Sequence, residues 1–328
     1  MAHRDASPHF RLVQGEPLSA SIRRIVREQI DEAIRHLTDS SADTERAMRD
    51  SRVCCRRIRA VVRLVRKEIG AELFQREDRC FRDVRRALAP AANSASGDDI
   101  LHAGGAGPSD DRFGSSLKLL SGHPSVEVKP QDSIEDEVIA NAASTLAVAR
   151  QRIGEWPFTH EGFSIVAGGL KRCYKEGSNC CYRSLDNPSA LNLREWHRQV
   201  TYLRYQVNIF RPVWPKVLGS LSDQLKRLGG YLNEYGDLIV LRDGFCRPQQ
   251  LEIAEVEERM RRVERRCREL ERRAVAVAHR VYAESPKAFV HRLNEYWSAW
   301  RLEGASKSAR RTLALESQPL PIRVTHAG

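Results

Sequence analysis

The stretch that decides the reading of this chain is "RDSRVCCRRIRAVVRLVRK", residues 49–67. Across residues 46–67 there are nine basic side chains and one acid, Asp50. Between the cations lie enough Val, Ile and Leu for a core-facing helix. At about 100° per residue, Arg49, Arg52, Arg56, Arg59, Arg63 and Arg66 share one face, at spacings of 3, 4, 3, 4 and 3. Cys54, Ile58, Val61, Val65 and Ile69 fall on nearly the opposite face. Like charges one turn apart repel. A helix carrying this ladder needs something outside itself to offset the repulsion, and a bound anion is one candidate.

The ladder has an echo 145 residues later, in "REWHRQVTYLRYQVNIFR", 194–211. Arg194, His197, Thr201, Arg204, Asn208 and Arg211 occupy the same offsets, with Arg198 and Tyr205 beside them. Trp196, Val200, Leu203, Val207, Phe210 and Trp214 form the opposing apolar face. A repeated register suggests internal duplication into two related helical bundles. The ladders would then face each other across a pseudo-two-fold axis and line one basic channel. Helices ahead of each ladder add Arg23, Arg24 and Arg27 in the first half, and Lys171, Arg172 and Lys175 in the second.

The rest of the chain agrees with an all-α protein. Helical periodicity predicts helices near 19–38, 43–68, 71–90, 132–154, 162–183, 190–211, 215–242, 248–283 and 286–301. Residues 94–133 are rich in Ser, Gly, Asp and Pro and read as a flexible linker. The expected organisation is therefore an N-terminal tail (1–16), a first helical half (17–93), the linker, a second half (134–303) and a loose tail (304–328). Within 248–283, Ile253, Val256, Met260, Val263, Cys267, Leu270, Ala274, Val277 and Val281 make a heptad seam. Residues 249–283 hold nine arginines, but seven glutamates are mixed among them. That is an ordinary solvated face with ion pairs available.

Of the 328 residues 41% are hydrophobic, and 54 Lys+Arg outnumber 43 Asp+Glu, for a net charge of +11. Such a balance suggests a polyanionic partner: nucleic acid, a membrane surface or another polymer of negative charge. No apolar run exceeds five residues (274–278), so no transmembrane helix is expected. "MAHRDASPHFRLVQ" has no apolar core of the secretory kind. The eight cysteines include the adjacent pairs Cys54–Cys55 and Cys180–Cys181 and no C-x-x-C. Reduced, buried thiols in a cytoplasmic protein are the expectation.

Arginine forks match phosphate oxygens bidentately, and a ladder repeating about every 5 Å suits an extended phosphate chain. No DNA-reading module is apparent, and the aromatics near the second ladder lie on its core face, so base stacking is poorly supplied. Nucleic acid therefore remains the second reading. No P-loop, H-E-x-x-H or G-x-S-x-G occurs. His197 reads as a phosphate contact rather than a catalytic base. Asp50, Asp237 and Asp243 read as ion-pair partners rather than metal ligands. "GG" at 168–169 and 229–230 suggests close helix packing. No catalysis, metal or cofactor is expected.

"SRVCCRRIRAVVRLVRK", "GGLKRCYKEG" (168–177), "REWHRQVTYLRYQVNIFRPVWP", "GDLIVLRD" and "VYAESPKAFVHRLNEYWSAWR" (281–301) resemble CHAD domains, the conserved-histidine α-helical domains. The resemblance covers roughly residues 17–301. It implies two four-helix bundles related by pseudo-two-fold symmetry around a basic central pore. It implies non-catalytic binding of inorganic polyphosphate, with the protein placed at polyphosphate granules. On the ladders and the helices before them, the residues implied to bind are Arg23, Arg27, Arg49, Arg52, Arg56, Arg59, Arg63, Lys171, Arg172, Lys175, Arg194, His197, Arg198, Arg204 and Tyr205. The family's namesake histidines are largely replaced. Arg49 and Arg194 open the two ladder motifs, Gly236–Asp237 stands for a His-Asp pair, Ala92–Asn93 for an Arg-Asp pair, and Thr201 for a lysine. Arginine keeps the positive charge at two of these positions and cannot lose it.

Overall fold

The computed structural model describes residues 10–39, 41, 43–89, 132–245 and 253–316. Its described residues are helical, with no strand. The helices are α1 (Leu18–Thr38), α2 (Thr44–Leu64), α3 (Arg66–Ile69), α4 (Ala71–Ala87) and α5 (Asp132–Arg152). They continue as α6 (Ser164–Asp186), α7 (Ala190–Ile209), α8 (Pro215–Phe245), α9 (Ile253–Val281) and α10 (Pro286–Glu316).

Local chemistry sets the ends of the ladder helices. Asp43 caps α2 by accepting from the Arg46 amide at 3.2 Å. Ser189 caps α7 by accepting from the Asn192 amide at 3.2 Å. Each side chain satisfies one of the amides that a helix start leaves without an intrahelical partner. The single helix expected over 43–68 is broken at Val65, and Arg66–Ile69 form a separate turn. Gly70 follows at φ 82°, a conformation open to glycine at little cost, and the chain turns there into α4.

Packing sorts the long helices into two sets. In the first, α1 packs on α2, α2 on α4, α4 on α5 and α5 back on α1. In the second, α6 packs on α7, α7 on α8, α8 on α9, and α9 returns to α6, with α10 laid on α6 as well. The sets meet where α2 touches α6 and α7 and α3 touches α6. The helix after the linker, α5, therefore belongs with the first set, and the expected division of the chain at the linker is redrawn. Ile153 and Trp156, just beyond α5, are buried in this core.

Position explains the burial of α2. It touches α1, α4, α6 and α7, so an apolar stripe on one face is not enough. Cys54, Ile58, Val61 and Val65 are buried as the ladder geometry predicts, but so are Cys55, Ala60, Val62 and Leu64. The closest approach is at Gly169 of α6, where an added Cβ would collide with the Leu64 carbonyl. Glycine is required there by space, and the expectation of close packing at 168–169 holds at that residue.

Several boundaries differ from expectation. Phe10 and Leu12, assigned to a free N-terminal tail, are buried. The Leu12 amide donates to Ile209 O at 3.0 Å, and Phe10 meets Tyr205 edge-on at 6.2 Å. Helix α10 continues to Glu316, through the first part of the expected C-terminal tail. The expected linker lies outside the described residues except for its last two, which open α5. Trp214, expected on the core face, is exposed and packs edge-on against Tyr296.

Candidate functional site

The two ladder helices pack directly on each other. Gln206 of α7, fully buried, donates from Nε2 to the Ala60 carbonyl of α2 at 3.1 Å. This contact brings Arg56 of α2 and Arg204 of α7 to the same place. Both press on the His197 imidazole, which burial first and then these two cations push down to about 4. The ring is therefore neutral near pH 7 and offers one N–H donor. Arg204 lies over the Tyr205 ring at 5.1 Å. Burial alone would raise the Tyr205 phenol, but Arg56, Arg204 and Arg57 outweigh it and bring it below its usual value. Arg194 and Arg198, close to His197 along α7, are not the cations that lower it. The structure assigns that effect to Arg56 and Arg204, because α7 turns His197 toward α2.

Helix α4 supplies two residues that the ladder pattern did not reveal. Asp78 accepts from Arg59 Nε at 3.0 Å and from Arg59 Nη2 at 3.1 Å. It also pairs with Arg63. Arg59 is only 6% exposed, so this fork holds a buried charge. Burial would raise the Asp78 carboxyl, but Arg59 and Arg63 outweigh it and hold it below the usual carboxylate range. Arg85 stands seven residues further along α4. Burial, then Arg56 and Arg59, push it down to about 10. Asp78 and Arg85 share a face of α4, but that helix mixes both charge signs, so nothing in its sequence singles them out.

Toward the end of α2 the ladder becomes a cleft of about 240 Å³, lined by Arg63, Arg66, Lys67, Gly70, Ala71, Gly168, Gly169 and Arg172. Arg63 sits over Tyr202 at 4.5 Å and Arg66 over Phe74 at 4.4 Å. Burial, then Arg172 and Arg63, lower the Arg66 guanidinium. Near the other end, burial and then Arg56 and Arg49 lower Arg52. Cations thus crowd one another at Arg52 and at Arg66, on either side of the Asp78 fork. Each lowered value means that a nearby negative charge would relieve the site.

The structure divides the expected site residues. Arg49, Arg52, Arg56, Arg59, Arg63, His197, Arg204 and Tyr205 belong to the ladder line, and Arg172 joins it at the cleft. Arg194 is half-buried on α7, and Lys171 and Lys175 are exposed on α6. Arg198 is turned to Glu195 at the surface. Arg23 and Arg27 are drawn elsewhere. Arg23 donates to the Trp156 carbonyl at 2.6 Å and covers Phe158, and Arg27 lies against Gly154. These two clasp the chain beyond α5 to α1, a consequence of α5 packing in the first set. Arg24 pairs with Glu16 at 2.9 Å and Glu28 at 3.2 Å.

Asp50 pairs with Arg46 at 3.8 Å, and Asp237 accepts from Asn233 at 3.2 Å. Asp243 has no described side chain. The seven described cysteines are free. No helix among the described residues is long and apolar enough to cross a membrane.

No curated protein matches the chain. The family model of the CHAD domain matches residues 24–246, a span that contains both ladders, Asp78, Arg85 and the Gly169 contact. Since that span covers more than half of the sequence and carries the packed ladder pair, the chain belongs to the CHAD family.

Proposed function

We propose that this protein binds inorganic polyphosphate, without catalysis, in an arginine-lined pore where its two helix sets meet. The observation that carries the reading is the convergence of Arg56 and Arg204, from ladders 145 residues apart in register, on His197 and Tyr205. His197 is hemmed in by protein yet keeps some accessible surface, as a side chain lining an internal opening would. The matching order of packing in the two sets, with α2 and α7 in equivalent places, supports a pseudo-two-fold relation. Membership of the CHAD family supports polyphosphate as the ligand, and with it a place at polyphosphate granules. A run of guanidiniums suits a chain whose every unit carries a negative charge.

Duplex nucleic acid is the competing reading, favoured only by net charge. Labelled polyphosphate bound to the protein should be displaced by unlabelled polyphosphate at far lower phosphate concentration than by duplex DNA. Equal displacement would defeat the assignment. Incubation with polyphosphate should leave its chain length unchanged, and shortening of the chain would overturn the non-catalytic reading.

A further inference from the structure

We propose that Glu32 and His36 of α1 and Cys54 of α2 form a binding site for a zinc-class divalent ion. A carboxylate oxygen, an imidazole nitrogen and the thiol sulfur all lie within 4.8 Å of one another. Glu32 and His36 are one helical turn apart, with His36 Nε2 3.8 Å from Glu32 Oε1. Cys54 reaches them from the neighbouring helix. Tetrahedral zinc, with bonds of about 2.0 to 2.3 Å, needs its donors roughly 3.3 to 3.8 Å apart. Closing the observed spacing takes side-chain shifts of about 1 Å. Glu32 and His36 are only half-buried and have room to make them.

The donor set selects the kind of ion. Magnesium and calcium take oxygen ligands. A sulfur and an imidazole nitrogen beside one carboxylate suit zinc and its transition-metal neighbours. A simple ion pair would need only His36 and Glu32; a thiol within reach of both is what points to a metal. Gln29 prepares the carboxylate. It is fully buried, accepts from Arg57 Nη1 at 3.1 Å and donates to Glu32 Oε2 at 3.0 Å. Glu32 Oε1, the oxygen facing His36, is left to take the ion. Metal sites commonly orient their ligands through such an outer hydrogen bond.

Charge also balances. On binding, the S–H proton leaves to solvent as the sulfur–metal bond forms, with no change of oxidation state. One thiolate and one carboxylate then neutralise the divalent ion, and a water from the open side completes four ligands. Cys54 lies on the face of α2 opposite the ladder, so the ion would staple α2 to α1 without entering the anion site.

Cobalt is the probe, because a thiolate bound to Co²⁺ gives charge-transfer absorption in the near ultraviolet. Full-length protein, stripped of metal and polyphosphate and kept reduced, should develop this band with one Co²⁺ per chain, and Zn²⁺ should abolish it. Cys54→Ser should remove the band, while Cys267→Ser on α9 should retain it. His36→Gln changes a half-buried position and should fold even if Cys54→Ser does not. It should weaken Zn²⁺ binding at least about tenfold. The proposal is overturned if the wild type shows no band, if the band survives Cys54→Ser, or if His36→Gln binds Zn²⁺ as the wild type does.

Discussion

Helices α2 and α9 are both dense in arginine, yet they settle their charge in opposite ways. On α9 most partners are local, although Arg266 also reaches Glu234 of α8 at 2.6 Å. Arg261 and Arg262 pair with Glu258, Arg268 with Glu264, and Arg273 with Glu269, each three or four residues away. These side chains are exposed, Arg262 at 68%. On α2 the named partners of the buried arginines come from other helices: Asp78 of α4 for Arg59 and Arg63, and Gln29 of α1 for Arg57. Solvent screens the first kind of pair and leaves it nearly neutral for stability. The second kind holds up a charge that has already lost its water. A count of arginines cannot tell these helices apart; the burial of the charges can, with Arg59 at 6% exposure against 68% for Arg262.

The sharpest way to break the comparison is to remove one acid from each helix's set. Asp78→Ala strands Arg59, and loss of one partner of a buried pair costs about 3–5 kcal/mol. Glu258→Ala leaves two solvated arginines and should leave stability close to that of the wild type. Urea unfolding measures both, and equal losses would erase the distinction. Acid adds a second reading. The folded Asp78 carboxyl is held below its unfolded value, so its contribution is complete above about pH 4 and is lost as pH falls through the lower folded value. The Asp78→Ala variant should therefore lose less stability than the wild type over that acid range.

A smaller effect concerns ligand rather than fold. Arg56→Gln with Arg204→Gln removes one cation from each ladder beside His197. Polyphosphate affinity should fall tenfold or more, about 1.4 kcal/mol. The slope of log affinity against log salt should become shallower by about two if each lost contact had released roughly one counterion. Helical circular dichroism must be preserved. Unchanged affinity would remove the ladder junction from the binding site.

Much of this was readable from local pattern and some was not. The 3, 4, 3, 4, 3 register marked Arg56 and Arg204 as ladder residues, because it is a property of each helix alone. The heptad seam of α9 was equally plain, and Val263, Cys267, Leu270, Ala274, Val277 and Val281 are buried. The partners on α4 were hidden, since Asp78 meets Arg59 only after α4 folds back along α2. The place of α5 was hidden for the same reason: a long separation in sequence says nothing about which bundle a helix will join. Arg23 and Arg27 matched the expected charge, but Arg23 is held by the Trp156 carbonyl and Arg27 packs against Gly154, neighbours that no charge pattern announces.

His197 offers a gentler test of how strongly α2 acts on its neighbour. Its folded value is about 4 against an ordinary 6.5, so the unfolded chain binds the proton more readily. Stability is then unaffected above about pH 6.5, falls as pH drops toward 4, and changes no further below that. Solvent reaches the ring and screens the arginines, so the loss should be on the order of 1 kcal/mol. His197→Gln should remove that part of the pH dependence. Bound polyphosphate should shrink it in the wild type, because an anion beside Arg56 and Arg204 favours the imidazolium. A wild-type curve that is flat between pH 6.5 and 4, measured by urea midpoints, would mean the cations do not press on His197.

The smallest effect is the most exacting control. Arg265→Gln with Arg272→Gln removes the same two charges as the ladder variant, but from exposed positions of α9. Neither side chain is buried, so stability should stay within about 0.5 kcal/mol of wild type. A change of two in net charge still weakens the long-range attraction for a polyanion. That attraction falls off over about 8 Å at physiological salt, so affinity should drop by no more than about threefold, chiefly through slower association. The deficit should vanish with a modest rise in salt, whereas that of the ladder variant, larger at the start, should shrink along the counterion-release slope of its lost contacts. If the α9 variant binds as poorly as the ladder variant at every salt concentration, the arginines of α2 contribute only to a diffuse field. The convergence of two ladders on His197 would then have no part in recognition.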